Sequence, residues 1–259
     1  MLRSFLFVPA KRHMLSKIKT FGADAYIIDL EDSIEIENKE KALNQTEIFL
    51  DEYSNNSQFF VRLNKESYDN EVKRLVRFSN VGFMLPKFDN IDFYDAFAHI
   101  WKERTVIAII ETPIGIVNIK KIANCKWINI MAFGAEDYTS ITNMDNRPEL
   151  LMYQKSRLVT YAKAYGKYVL DTPCFCLDDE NTAIEEFKMA ARMGFDGKLA
   201  ITPKHIEYIN KIFNLGKNNH EDIIEIINRF EKTGEAVQVI DGKVYENMHI
   251  NKLKKQLDL

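Results

Sequence analysis

The strongest constraint on this chain is an alternation. Short apolar runs near 4–9, 25–31, 59–64, 82–87, 106–111, 128–134, 167–171 and 197–202 are separated by amphipathic stretches. A run of that length with no polar face reads as a strand buried on both sides, as in a parallel sheet. Between the runs, the segments 38–53, 67–78, 91–102, 113–123, 149–165 and 181–193 read as helices. In 149–165, for example, Leu150, Leu151, Tyr153, Leu158 and Tyr161 recur at helical spacing. Gly22, Gly82, Gly166 and Gly194 stand where helices should end before the next strand. Eight such units in 259 residues predict an α/β fold, a (β/α)8 barrel. A doubly wound open sheet is the competitor. It would want a glycine-rich phosphate loop, and Leu6-Phe7-Val8-Pro9-Ala10-Lys11-Arg12 has no glycine.

The repeat stops near residue 216. Residues 1–216 are therefore assigned to the barrel and 217–259 to a C-terminal helix and hairpin extension. In the extension, 220–232 reads as a helix, 236–245 as a hairpin turning on Asp241-Gly242, and 248–257 as a basic helix. This tail either caps the barrel or packs on a neighbouring subunit. A net charge of −3 argues against a nucleic-acid partner. An anionic substrate would need a local cluster of Arg and Lys instead. The apolar stretch at 4–9 is too short for a signal segment or a membrane span, so no membrane partner is expected. Cys125, Cys174 and Cys176 make no even disulfide framework and read as reduced thiols of a cytoplasmic protein.

Polar residues at the ends of barrel strands are the first candidates for chemistry. Two apolar runs stop abruptly at acids: Ile110-Glu111-Thr112-Pro113 and Phe133-Gly134-Ala135-Glu136-Asp137. Glu111 and Asp137, on adjacent strands, could point at one hard cation. Magnesium suits such a pair, because it takes oxygen ligands and usually keeps waters beside one or two carboxylates. Each acid could instead cap the helix that follows it. The small residues Gly134 and Ala135 let backbone amides approach a ligand carboxylate. Arg62 could grip the same carboxylate in bidentate fashion, or bridge to Glu31 or Asp32. Lys87 and Lys198 read as charge partners of nearby acids in preference to Schiff-base lysines. The five histidines show no zinc-ligand spacing.

Together these strand ends resemble a known family. Arg3-Ser4-Phe5-Leu6-Phe7-Val8-Pro9, Asp29-Leu30-Glu31-Asp32, Val61-Arg62-Leu63-Asn64, Met84-Leu85-Pro86-Lys87, Ile110-Glu111-Thr112-Pro113-Ile114-Gly115, Phe133-Gly134-Ala135-Glu136-Asp137 and Gly194-Phe195-Asp196-Gly197-Lys198 occur in that order. The combination resembles the citrate lyase beta-subunit-like branch of the HpcH/HpaI aldolase superfamily. That resemblance implies a TIM barrel, Mg²⁺, and a homotrimer or hexamer. It also implies carbon–carbon lyase chemistry on short 3-hydroxyacyl-CoA thioesters such as citryl-, malyl- or citramalyl-CoA. Carried over by position, Glu111 and Asp137 would ligate the metal, and Glu31 and Asp32 would order its waters. Arg62 and the turn Gly134-Ala135-Glu136-Asp137 would hold the oxo acid. Arg3, Lys11 and Arg12 would meet the CoA phosphates. In the tail, Glu246 stands where the family carries an acid–base Asp that reaches into a neighbour's site. Partner subunits of a citrate lyase complex are a further implication. Two other readings stay open: a metal-dependent aldolase on a free oxo acid without CoA, and a binding or scaffold protein that has lost turnover.

Overall fold

The computed structural model describes residues 2–53, 58–214 and 220–256. Eight parallel strands close into a barrel. They are β1 (Ser4–Pro9), β2 (Ala25–Asp29), β3 (Phe59–Arg62), β4 (Gly82–Leu85), β5 (Val106–Ile110), β6 (Ile130–Phe133), β7 (Tyr168–Asp171) and β8 (Gly197–Ala200). The first and last strands seal it, pairing Ser4 with Lys198, Phe5 with Leu199 and Leu6 with Ala200. Alternate residues fill the interior, among them Phe5, Ile27, Phe60, Met84, Ile107, Ile109 and Leu199. The residues on the other face of the strands are largely buried as well. That two-sided burial is why the strands carry continuous apolar runs.

The strands stop earlier than the apolar pattern suggests, because their polar ends turn into rim loops. After β2 the Asp29 carboxylate accepts the backbone N–H groups of Glu31 at 2.9 Å and Ser33 at 3.2 Å, folding the chain out of the ladder. After β5, Thr112 caps the helix Pro113–Asn124 by accepting the Gly115 N–H at 2.9 Å, with Pro113 at the first helical position. The segment Gly134-Ala135-Glu136-Asp137 is not the end of a strand. Gly134 is the N-cap and the other three form the first turn of the helix Ala135–Thr142.

Two further expectations need correction. The segment 91–102 is not one helix but the short pieces Ile91–Tyr94, Asp95–Phe97 and Ala98–Trp101. There the Tyr94 carbonyl accepts the Trp101 indole N–H at 2.8 Å, and the Tyr94 ring stacks on Phe88. Gly82 is not a helix cap but the first residue of β4. A Cβ on it would lie 2.5 Å from the Phe60 ring and 2.7 Å from the Thr105 carbonyl oxygen. Gly22, Gly166 and Gly194 do adopt positive φ, and Gly194 ends the helix Glu180–Met193 in the left-handed conformation.

The chain divides into two compact units, Met1–Asn210 and Lys211–Leu259. The second contains the helix His220–Thr233, the antiparallel hairpin of β9 (Val237–Ile240) and β10 (Lys243–Glu246), and the helix Asn247–Gln256. Asp241 and Gly242 turn the hairpin with φ of 50° and 77°, as the Asp-Gly pair predicts. Its small core is built from Ile223, Ile227, Phe230, Ile240 and Ile250. The expected end of the last helix, at 257, lies outside the described residues. Among the described residues, no helix is long and apolar enough to cross a membrane.

Candidate active site

A cavity of about 440 Å³ opens at the C-terminal ends of the barrel strands. Asp29, Asp32, Arg62, Glu111, Glu136, Asp137 and Thr172 are among the residues that line it. The site is therefore assembled from the last residues of several different strands and the residues just after them.

Asp29 and Arg62 are register partners at the ends of β2 and β3. Their pairing is bidentate: Arg62 Nε donates to Asp29 Oδ1 at 2.7 Å and Nη2 donates to Oδ2 at 2.8 Å. Burial alone would raise the Asp29 pKa, but Arg62 outweighs it and holds that carboxyl below its ordinary value. Arg62 itself stays charged, its pKa raised by Asp29, Glu31 and Asp32 against the cost of burial. Its remaining nitrogen, Nη1, faces Glu31 Oε2 at 3.1 Å and Asp32 Oδ2 at 3.0 Å. All three guanidinium nitrogens therefore face carboxylates, and a ligand would share the Nη1 edge with Glu31 and Asp32. Sequence reasoning weighed Glu31 and Asp32 as partners of Arg62 and missed Asp29. The signal was present, since Asp29 and Arg62 end neighbouring strands and must sit side by side.

Glu31 and Glu111 carry the largest electrostatic strain in the site. Burial pushes the Glu31 pKa up to about 7, with Arg62 and Lys87 opposing and Asp32 adding to the rise. The Glu31 Oε2 atom is near Arg62 Nη1, yet it makes no hydrogen bond of acceptable geometry. Glu111 is pushed up to about 8, first by burial and then by the negative charges of Glu31 and Asp137. One Glu111 oxygen accepts the Lys87 backbone N–H at 2.6 Å. Lys87 holds a left-handed backbone, φ 47°, to present that amide. Its ammonium lies 3.2 Å from Glu31. Burial works against the Lys87 charge, but Glu31 and Asp137 outweigh it and raise the pKa. The ion pair with Glu31 fits the reading of Lys87 as a charge partner of nearby acids.

Gly134 is required by the approach of Glu111. A Cβ at this position would lie 2.4 Å from Glu111 Oε2 and 2.6 Å from Glu111 Cβ. Without a side chain, Gly134 cannot cap the helix Ala135–Thr142 that it starts. The Ala135 N–H is instead accepted by Thr172 Oγ1, at 3.1 Å, from the end of β7. Among the described residues no acceptor takes the Glu136 and Asp137 amides, so this helix terminus is open for an anion. The Glu136 carboxylate bonds to the Asn146 side chain.

The phosphate-binding expectation for Arg3 fails. Arg3 precedes β1, so it lies at the N-terminal end of the barrel, opposite the cavity. Its guanidinium is engaged by Asp24 through Nε at 2.8 Å and Nη2 at 2.9 Å. Lys11 and Arg12 do follow β1, on the cavity's end. Lys11 is half-buried and sits 3.4 Å from Glu35, while Arg12 is exposed with no ion pair among the described residues. Lys198 is fully buried between Asp171 and Glu186, 2.7 Å from each, so it is a structural charge partner. Glu246 lies in the second unit, at the end of β10, and is exposed.

The donor set fits a hard cation. Glu111 and Asp137 offer carboxylate oxygens to the same cavity, and the crowding of Glu111, Asp137 and Glu31 is the kind that a divalent ion relieves. Among the described residues no group of three or more His, Cys, Asp or Glu is arranged as a self-sufficient metal site.

The profile of the family described as HpcH/HpaI aldolase/citrate lyase matches residues 3–203. The chain belongs to the HpcH/HpaI aldolase/citrate lyase family. It is 28% identical to the citrate lyase subunit beta of Leuconostoc mesenteroides subsp. cremoris, over 99% of this chain and 92% of that protein. It is 30% identical to a (3S)-malyl-CoA thioesterase of Cereibacter sphaeroides, over 96% of this chain and 90% of that protein. Among solved structures it is similar to the citrate lyase beta subunit of M. tuberculosis complexed with oxaloacetate and magnesium. The TM-score is 0.70 and the identity 26%, over 81% of this chain and 96% of that one. These likenesses place the chain in the citrate lyase beta-subunit-like branch of the family and make it an enzyme of the lyase type.

Proposed function

We propose that this enzyme is a Mg²⁺-dependent carbon–carbon lyase acting on a short, carboxylate-bearing 3-hydroxyacyl-CoA thioester of the citryl-, malyl- or citramalyl-CoA kind. The observation that carries the reading is one cavity that combines two cation-seeking carboxylates, an arginine edge and a helix terminus with two open amides. Glu111 and Asp137 would hold the metal, with Glu31 and Asp32 ordering its waters. When bound, the ion would polarise the carbonyl oxygen that forms as the carbon–carbon bond breaks.

The chain's own residues have separate tasks. The Glu136 and Asp137 amides, at the positive end of a helix, bind the carboxylate of the oxo acid. Arg62 adds its Nη1 edge, and Asp29 keeps the guanidinium plane fixed by occupying the other edge. The acid–base group is Glu246 of a neighbouring subunit. Val237, Val239 and Val244 are exposed on the hairpin, and Glu246 is the register partner of Val237. Directly opposed residues of antiparallel strands share a face, so Glu246 sits on this apolar face. A second copy covering the valines would meet the carboxylate as well. A homo-oligomer, trimeric or hexameric, is accordingly part of the proposal. Lys11 and Arg12 are the proposed CoA-phosphate contacts. The three cysteines are free thiols, which suits a reducing cytoplasm.

The test is product analysis with Mg²⁺ and malyl-, citramalyl- or citryl-CoA. Cleavage yields an acyl-CoA and an oxo acid, detected as the hydrazone. Hydrolysis, the activity in the name of the C. sphaeroides relative, would yield free CoA and the hydroxy acid. No cleavage of any of these esters would refute the reading.

A further inference from the structure

Thr172 is 4% exposed and follows β7 directly at the wall of the cavity. Its hydroxyl oxygen accepts the Ala135 N–H. A hydroxyl that accepts one hydrogen still has its own to give. Among the described residues no acceptor takes it. A buried donor without an acceptor is costly, unless a ligand or water supplies the oxygen.

The position of this donor follows from the packing already described. Gly134 must be glycine because Glu111 fills the space of a side chain. The helix therefore has no cap of its own, and Thr172 supplies one from just after β7. That contact places the free O–H at the first amide of the helix, beside the open amides of Glu136 and Asp137. We propose that the Thr172 hydroxyl is a third donor for the ligand carboxylate, beside those two amides, and so helps to bind the oxo acid. A carboxylate has lone pairs enough for all three. The assignment rests on the functional reading above, which supplies the oxo acid.

Titration calorimetry of the full chain with Mg²⁺ and glyoxylate or oxaloacetate tests it. Thr172→Val removes the hydroxyl and keeps the branched shape. It should weaken oxo-acid binding by roughly 10- to 100-fold, as expected for a hydrogen bond to a charged group. Mg²⁺ affinity without the acid should stay unchanged, and Thr172→Ser should restore acid binding. If Thr172→Val does not fold, Thr172→Ala set against Thr172→Ser reads the same hydroxyl. Wild-type binding with an unchanged valine variant would overturn the Thr172 assignment alone. So would a serine variant as weak as valine, or an equal loss of Mg²⁺ affinity. A wild type that binds no oxo acid would overturn the functional reading, and this assignment with it.

Discussion

Replacing Asp171 by Asn tests the charge network that holds β7 and β8 together. Asp171 is fully buried and lies 3.0 Å from Lys155 and 2.7 Å from Lys198. Burial alone would raise its pKa, but Lys198 and Lys155 outweigh burial and hold it below the ordinary carboxylate value. Asn keeps the shape and loses the charge. Lys198 retains Glu186 at 2.7 Å, while Lys155 has no other acidic partner among the described residues. The result is a buried ammonium without a counter-ion, which costs about 3–5 kcal/mol. For a chain of this size that lowers Tm by roughly 6–20 °C. Thermal unfolding followed by circular dichroism reads it directly. Adding Lys155→Met should recover much of the loss, because it removes the stranded charge. A Tm within about 1 °C of wild type would refute the reasoning, being far below the expected shift. So would a Lys155→Met change that deepens the loss. The pH dependence has a definite sign. A carboxylate with a depressed folded pKa stabilises above its unfolded pKa of about 4, and that stability fades as pH falls through the folded value. The gap between wild type and Asp171→Asn should therefore be full at neutral pH and close in acid.

Three other outcomes are expected. Gly134→Ala drives a methyl group against Glu111 and should lower turnover by about 100-fold, since an error of about 1 Å costs that much; unchanged turnover and Mg²⁺ affinity would show that Glu111 is not held against this turn. Gly82→Ala forces a clash with the Phe60 ring and the Thr105 carbonyl, so denaturant unfolding should report a loss of about 1–3 kcal/mol, and an unchanged midpoint would contradict the packing. Glu246→Gln and Glu111→Gln should each abolish cleavage, and their co-refolded mixture should regain part of it, because some sites would pair an intact Glu111 with a neighbour's intact Glu246; no recovery in proven mixed oligomers would place Glu246 outside the neighbour's site.

The eight strands were legible because two-sided burial writes itself into short apolar runs, a local signal. The acids at the cavity were legible for a related reason: a charge that interrupts such a run must lie at its end. Arg3 was legible too, although by chain direction and not by charge. Parallel strands put every strand start at one end of the barrel, away from the site.

Other features depend on neighbours remote in sequence. Asp29 becomes the partner of Arg62 only through the β2–β3 register, 33 residues apart. Gly134 is needed because Glu111, just after β5, occupies the space of its side chain. That vacancy passes the capping of the helix Ala135–Thr142 to Thr172, 37 residues away from Ala135. By itself, then, the sequence determined the barrel, the end of it that carries the acids, and the family. The tertiary structure decided which charges neutralise one another and which donors stay free, because hydrogen-bond partners are set by distances between strands and not by spacing along the chain.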